Sequence, residues 1–130
     1  MKSIHVVAAI IVKENKVLVA KRRYGDFAGK WEFPGGKVEQ NETNEQALIR
    51  EISEELNIII SVDKYLLTVN YDYSNFHISM DCYLCHILDN KIELKEHSEL
   101  AWLLLEETDL LDWLPADILV FEKLKSLINI

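Results

Sequence analysis

Glu51, Glu54 and Glu55 put three carboxylates into five consecutive positions of the stretch Arg50-Glu51-Ile52-Ser53-Glu54-Glu55. On an α-helix turning roughly 100° per residue, their side chains point to about 0°, −60° and +40°, so all three leave from one face. Like charges at this spacing repel, by roughly 0.2–0.5 kcal/mol per i,i+4 pair in an isolated helix. A divalent cation is the natural compensation, and hard carboxylate oxygens suit Mg²⁺ or Mn²⁺ far better than a thiophilic metal. Beside a phosphate ester such an ion neutralises the phosphate oxygens and acidifies a water, which points to metal-dependent phosphate-ester cleavage. The residues alone leave a second reading open: a solvated acidic helix face in a chain with 22 Asp plus Glu.

The elements that must position these groups can be read around them. Leu48, Ile52 and Leu56 recur at i, i+4, i+8 beside the acidic face and can bury the helix against a core. Asn41 or Thr43 can cap its start, with Glu45 or Gln46 in the first turn. Upstream, Pro34-Gly35-Gly36 reads as a turn delivering the chain to the helix, after a short strand Trp31-Glu32-Phe33. Val6 to Val12 and Val17 to Lys21 read as strands of a hairpin across Glu14-Asn15-Lys16. The charged, glycine-bearing segment Arg22 to Lys30 reads as a loop over the site. Downstream, the expectation is strands over Ile58 to Ser61, Tyr65 to Tyr73 and His77 to Leu88, the last two joined at Ser74-Asn75. Short strands at Lys91 to Leu94 and Leu100 to Leu104 and a turn at Glu106-Glu107 follow. Pro115 to Leu127 reads as a helix with Pro at its first position and Ile118, Leu119, Phe121, Leu124 and Leu127 apolar. The order of strands, helix, strands, helix suits an α/β fold, a mixed β-sheet sandwiched between helices. Trp113 beside Leu110, Leu111 and Leu114 fits an interface patch, a lid or simple core.

Composition agrees with one domain spanning 1–130, with 49% hydrophobic residues and chain enough for a core. A formal net charge of −8 argues against coating a nucleic-acid polymer, which calls for a basic patch. A small phosphorylated substrate accompanied by its own cation remains compatible. The chain has no apolar run long enough to span a membrane and no cleavable leader, so the expectation is a cytoplasmic protein, a monomer or homodimer. Cys82 and Cys85 form a C-x-x-C inside strand-like flanks, where i and i+3 face opposite sides, so two reduced strand cysteines are expected rather than a metal or disulfide site.

The pattern Gly36, Glu42 and Arg50-Glu51-Ile52-Ser53-Glu54-Glu55-Leu56-Asn57-Ile58 resembles the Nudix box in residue type and spacing, without a gap. One departure exists: Asn57 stands where the family usually has Gly. Asn is the non-glycine residue most tolerant of a left-handed helix end, so the backbone is expected to be kept. The resemblance extends over essentially the whole chain and implies the Nudix α/β/α sandwich. Within the family the chain looks most like the small MutT and CTP-pyrophosphohydrolase branch, through Trp31-Glu32-Phe33-Pro34-Gly35-Gly36 and Leu114-Pro115-Ala116-Asp117.

By that resemblance Glu51, Glu54 and Glu55 would bind two or three Mg²⁺ ions (Mn²⁺ as an alternative), joined by the carbonyl of Gly35. Arg22 would meet a phosphate, and Phe33 and Asp117 would lie in the base pocket. Asp117 can accept from an exocyclic amine and, when protonated, can donate, so oxidised guanine and cytosine both stay open. The general base would be Glu54 or Glu55, or Glu96 reaching in from the Glu96-His97-Ser98-Glu99 loop, with Glu51 completing the catalytic set. Gly36, Glu42 and Arg50 would support the box. The implied reaction converts a nucleoside triphosphate to monophosphate and pyrophosphate. Cleavage of ADP-ribose or dinucleoside polyphosphates is the alternative, and a non-catalytic nucleotide-binding module the most distant one.

Overall fold

In a computed structural model the described residues are 2–89 and 97–127. Strand β1 (Lys2–Lys13) runs down the middle of the molecule. Its run Val7 to Ile11 is at most 1% exposed, as expected of a strand covered on both faces. Ala8 and Ile10 face one core, and Val7, Ala9 and Ile11 the other. β2 (Lys16–Arg22) returns as a hairpin, with Glu14 and Asn15 both at positive φ as a two-residue primed turn requires. β3 (Trp31–Glu32) and β4 (Gly35–Lys37) follow the loop, then α1 (Asn44–Leu56). β5 (Ile59–Asp72), β6 (Phe76–Asp89), β7 (His97–Leu103), a 3-10 helix (Leu105–Leu110) and α2 (Pro115–Leu127) complete the described chain.

The sheet order is β3-β2-β1-β6-β5, with β4 added to β1 and β7 to β2. β1 and β6 are parallel and the other pairs antiparallel, so the sheet is mixed. α1 buries Ala47, Leu48, Ile52 and Leu56 on one face, and α2 buries Ala116, Val120, Phe121 and Leu124 on the other. The expected α/β/α sandwich is therefore observed. In α2, Ile118 and Leu127 are exposed, and Ala116 and Val120 take the inward places instead.

Three expectations about local structure need correction. Gly35-Gly36 is not a turn: it belongs to β4, paired with Val7 and Ala8 of β1. The pairing is possible because a β carbon at Gly35 would run into the Val7 carbonyl and come within 2.9 Å of the Ala8 α carbon. Ile58 to Ser61 and Tyr65 to Tyr73 are not separate strands. The polar Asp63-Lys64 interruption is absorbed by a bulge between Val62 and Lys64, where Asp63 accepts from Ser61 Oγ at 2.8 Å and pairs with His86. Glu106-Glu107 lies within the 3-10 helix rather than a turn, and Glu107 accepts from the Leu104 amide at 2.8 Å. The strand expected at Lys91 to Leu94 falls outside the described residues.

Thr43 caps α1 in a reciprocal box with Gln46, and Asn57 ends it at φ 56°, ψ 38°, its amide donating to Ser53 O. Asn57→Ala puts an ordinary side chain into that left-handed conformation. It should cost about 1–2 kcal/mol in urea unfolding, whereas Asn57→Gly should match or exceed the parent chain.

Candidate active site

Arg50 organises the acidic face of α1. Its Nε and Nη2 donate to Glu42 Oε2 and Oε1 at 2.7 and 3.0 Å, a two-pronged contact across the loop before the helix. Nη2 also reaches Lys37 O at 3.1 Å, tying the helix to β4, and Nη1 reaches Glu51 at 2.9 Å and Glu54 at 3.3 Å. The bond from Arg50, then that from the Glu39 amide, holds the Glu42 carboxyl below its usual range, while Glu42 holds the proton on Arg50 more tightly still. Among the described residues no three acid, imidazole or thiol side chains converge as a finished metal cage. The guanidinium is the cation that Glu51 and Glu54 contact, both through Nη1. Glu51 is largely covered, Glu54 is 60% exposed, and Glu55 points towards a cavity.

Two glycines bring β4 against this helix. A β carbon on Gly36 would overlap the Glu51 carboxyl, so the missing side chain is the space that Glu51 fills. Gly35 and Gly36, together with Glu55, line one end of a cavity of about 330 Å³. Its walls come from the 22–30 loop (Phe27), the β5–β6 hairpin (Tyr73, Phe76) and the first turn of α2 (Asp117), with Arg22, Arg23 and Lys37 adding positive charge.

The sequence-predicted substrate residues divide. Arg22 lines the cavity, but its Nη1 is engaged by Glu32 Oε1 at 2.9 Å, and its Nε is buried with no hydrogen bond. Phe33 touches the cavity yet is 3% exposed, packed between Trp113 and Phe121 at centroid distances of 5.7 and 4.9 Å. It is a core residue that also backs the pocket. Trp113 is core as well, joined to Trp31 by a parallel bridge. Asp117 is 4% exposed and accepts from the Phe33 amide at 3.0 Å. Burial, reinforced by the neighbouring Glu32 carboxylate, pushes its carboxyl well above the usual range, against the opposing pull of the Phe33 N–H and Arg22. Glu96 lies outside the described residues. Cys82 and Cys85 are free, buried and on opposite sides of β6; burial pushes the Cys85 thiol up to about 12 and that of Cys82 further.

Sequence reasoning missed Phe27, Tyr73 and Phe76. Their rings form one cluster with Tyr71, with Tyr73 stacked on Phe76 at 4.9 Å and 5.3 Å from Phe27. The aromatic density of Tyr71-Asp72-Tyr73-Ser74-Asn75-Phe76 was the available signal.

The α/β/α sandwich thus carries a glutamate helix, tied to β4 by Arg50, with Glu55 at a cavity beside the glycine strand. Residues 2–124 match the NUDIX domain model, and the chain belongs to that family. It is 39% identical over 128 residues to the CTP pyrophosphohydrolase of Escherichia coli, covering 98% of this chain and 95% of that protein. It is 34% identical over 129 residues to the 8-oxo-dGTP diphosphatase of the same organism, covering 98% and 100%. The solution structure of the E. coli ORF135 protein superposes with a TM-score of 0.83 at 40% identity, covering 97% of this chain and 91% of that one.

The two glycines should fail differently. Gly35→Ala must displace β1 backbone and should cost roughly 1–3 kcal/mol in thermal or urea unfolding. Gly36→Ala meets only the end of the Glu51 side chain; it should leave unfolding nearly unchanged while hydrolysis falls by about 100-fold through the displaced carboxylate. For Asp117 the raised folded-state pKa means the native chain holds a proton the unfolded chain has lost, so stability falls as pH rises above the unfolded Asp range. Asp117→Asn, which keeps the acceptor for Phe33 N, should therefore gain stability over wild type at pH 7–8, a gain that shrinks towards pH 4. Urea titrations at the two pH values check it.

Proposed function

We propose that this Nudix hydrolase is a divalent-metal-dependent nucleoside triphosphate pyrophosphohydrolase, releasing nucleoside monophosphate and pyrophosphate by attack of water at phosphorus. The observation that carries the reading is one cavity lined by Glu55 and the Gly35-Gly36 backbone and also by Asp117 and an aromatic wall. Such a cavity suits a base among the rings with its phosphates running to the acidic helix. The relatives named for CTP and 8-oxo-dGTP align over nearly their whole length, which favours a triphosphate over ADP-ribose or a dinucleoside polyphosphate. The base is a cytosine or an oxidised guanine, so the role is pyrimidine nucleotide turnover or sanitation of the nucleotide pool.

Nudix hydrolases generally use divalent metal ions. The donors fit one: all are hard oxygens, and the space left at Gly36 admits the Glu51 carboxylate beside β4. We assign Mg²⁺, with Mn²⁺ as a substitute, to Glu51, Glu54, Glu55 and the Gly35 carbonyl. When bound, the ion supplies charge neutralisation on the phosphates and a more acidic water. The chain's own groups do the rest. Arg50 and Glu42 fix the helix against β4 and hold the Glu51 side chain in place. Glu54, exposed and held only at 3.3 Å by Arg50, is free to swing and take the proton of the attacking water, with Glu55 and Glu96 as the other candidates for that role. Arg22, Arg23 and Lys37 supply positive charge where the phosphates lie.

The reading includes a small-molecule nucleotide as the partner rather than a nucleic-acid polymer, and a monomer or homodimer in the cytoplasm. Two buried free thiols are consistent with a reducing compartment, and among the described residues no helix is long and apolar enough to cross a membrane.

Products of CTP, dCTP, 8-oxo-dGTP and ADP-ribose incubated with Mg²⁺ should be separated chromatographically, with Glu54→Gln as control. The expected result is monophosphate plus pyrophosphate from a triphosphate, reduced at least about 100-fold in the variant. Cleavage of ADP-ribose alone would overturn the triphosphate reading.

A further inference from the structure

Tyr73 closes the β5–β6 hairpin, its amide donating to Phe76 O at 2.8 Å. Its half-buried ring is fixed on three sides by Phe27, Tyr71 and Phe76. The Ala116 amide, in the first turn of α2, donates to its hydroxyl oxygen at 3.2 Å. A phenol offers one O–H donor besides its acceptor lone pairs. Here the acceptor side is used by Ala116, and among the described residues no protein acceptor takes the O–H. Tyr73 lines the cavity, and its hydroxyl lies against Ala116, which lines it too and is one residue before Asp117. Asp117 itself has Oδ1 committed to the Phe33 amide. Burial, with Asp117 and Glu32 nearby, raises the Tyr73 pKa, so the donor proton is retained at neutral pH.

We propose that Tyr73 is a specificity residue: its hydroxyl, held in place by the Ala116 N–H, donates a hydrogen bond to an acceptor on the edge of the substrate's base, a carbonyl oxygen or an unprotonated ring nitrogen. The proposal rests on the nucleoside triphosphate reading above and adds to it the residue that recognises the base. Tyr73 supplies the donor and Asp117 the adjoining polar group, while Phe27 and Phe76 offer faces against which the ring of the base can lie. Loss of such a donor weakens base recognition without touching the phosphates.

The test compares wild type with Tyr73→Phe on the preferred nucleoside triphosphate and on ribose 5-triphosphate, which has the same phosphates and no base. Thermal unfolding of both proteins is read alongside. The expected result is a five- to tenfold rise in KM for the nucleotide, about what one hydrogen bond carries, with kcat within about twofold and ribose 5-triphosphate hydrolysis unchanged. An equal fall on both substrates would overturn the proposal, because Tyr73 would then act only by holding α2. Unchanged nucleotide kinetics in the variant would overturn it as well. If wild type cleaves ribose 5-triphosphate as well as the nucleotide, base recognition fails altogether. If wild type cleaves no triphosphate, the parent reading fails and this one with it.

Discussion

One guanidinium holds the acidic face of α1 in place. Arg50 reaches the loop carboxylate of Glu42, the β4 carbonyl of Lys37, and two glutamates of its own helix. Arg is suited to this because its planar fork donates in several fixed directions at once; a Lys ammonium in the same place could not make the two-pronged contact to Glu42 while also reaching β4. The acidic helix is tolerable as a folded structure because this cation is built into it, and its register against β4 follows from the same contacts.

The rest of the fold supplies the surface on which that arrangement sits. β1 is apolar on both faces and shares one edge between β4 at Val6 to Ala8 and β2 at Val12 and Lys13, with Ala9 N donating to Pro34 O between them. The sheet thus forks along β1. α1 packs on one face and α2 on the other, and alternate residues of the same strand feed the two cores. The cleft runs from the glycine strand beside α1 to the first turn of α2, so groups from both sides of the sheet meet in it.

What the sequence disclosed followed the range of the interactions concerned. The helix, its caps and the left-handed Asn57 depend on neighbours within four residues and are found as read, as are the bounds of α2; the first hairpin forms, but with a tighter turn at Glu14-Asn15 and β1 reaching back to Lys2. Gly35-Gly36 was misread because glycine is ambiguous locally; only the close approach of β1 makes it a strand. The Asp63-Lys64 break looked like the end of a strand because a bulge is legible only with its partner strand present. At the site, the box residues are visible by spacing, and the supporting role of Glu42 and Arg50 through the family resemblance. The bond between Tyr73 and Ala116 is not, since it spans 43 residues and nothing in either segment signals the other. Phe33 could not be split between core and pocket from sequence, because it lies at the boundary of the two.

The cavity is lined from two sets of elements. The groups proposed to hold the metal stand on α1 and β4, tied together by Arg50, while Arg22 and Arg23 bring charge to the cavity from the end of β2 and the loop after it. The groups proposed to face the base stand on a hairpin tip, a surface loop bent at Gly25 and Gly29, and the opening turn of α2. A substitution at the hairpin tip therefore alters the aromatic wall of the cavity without altering the backbone pairing that holds the glycine strand to β1.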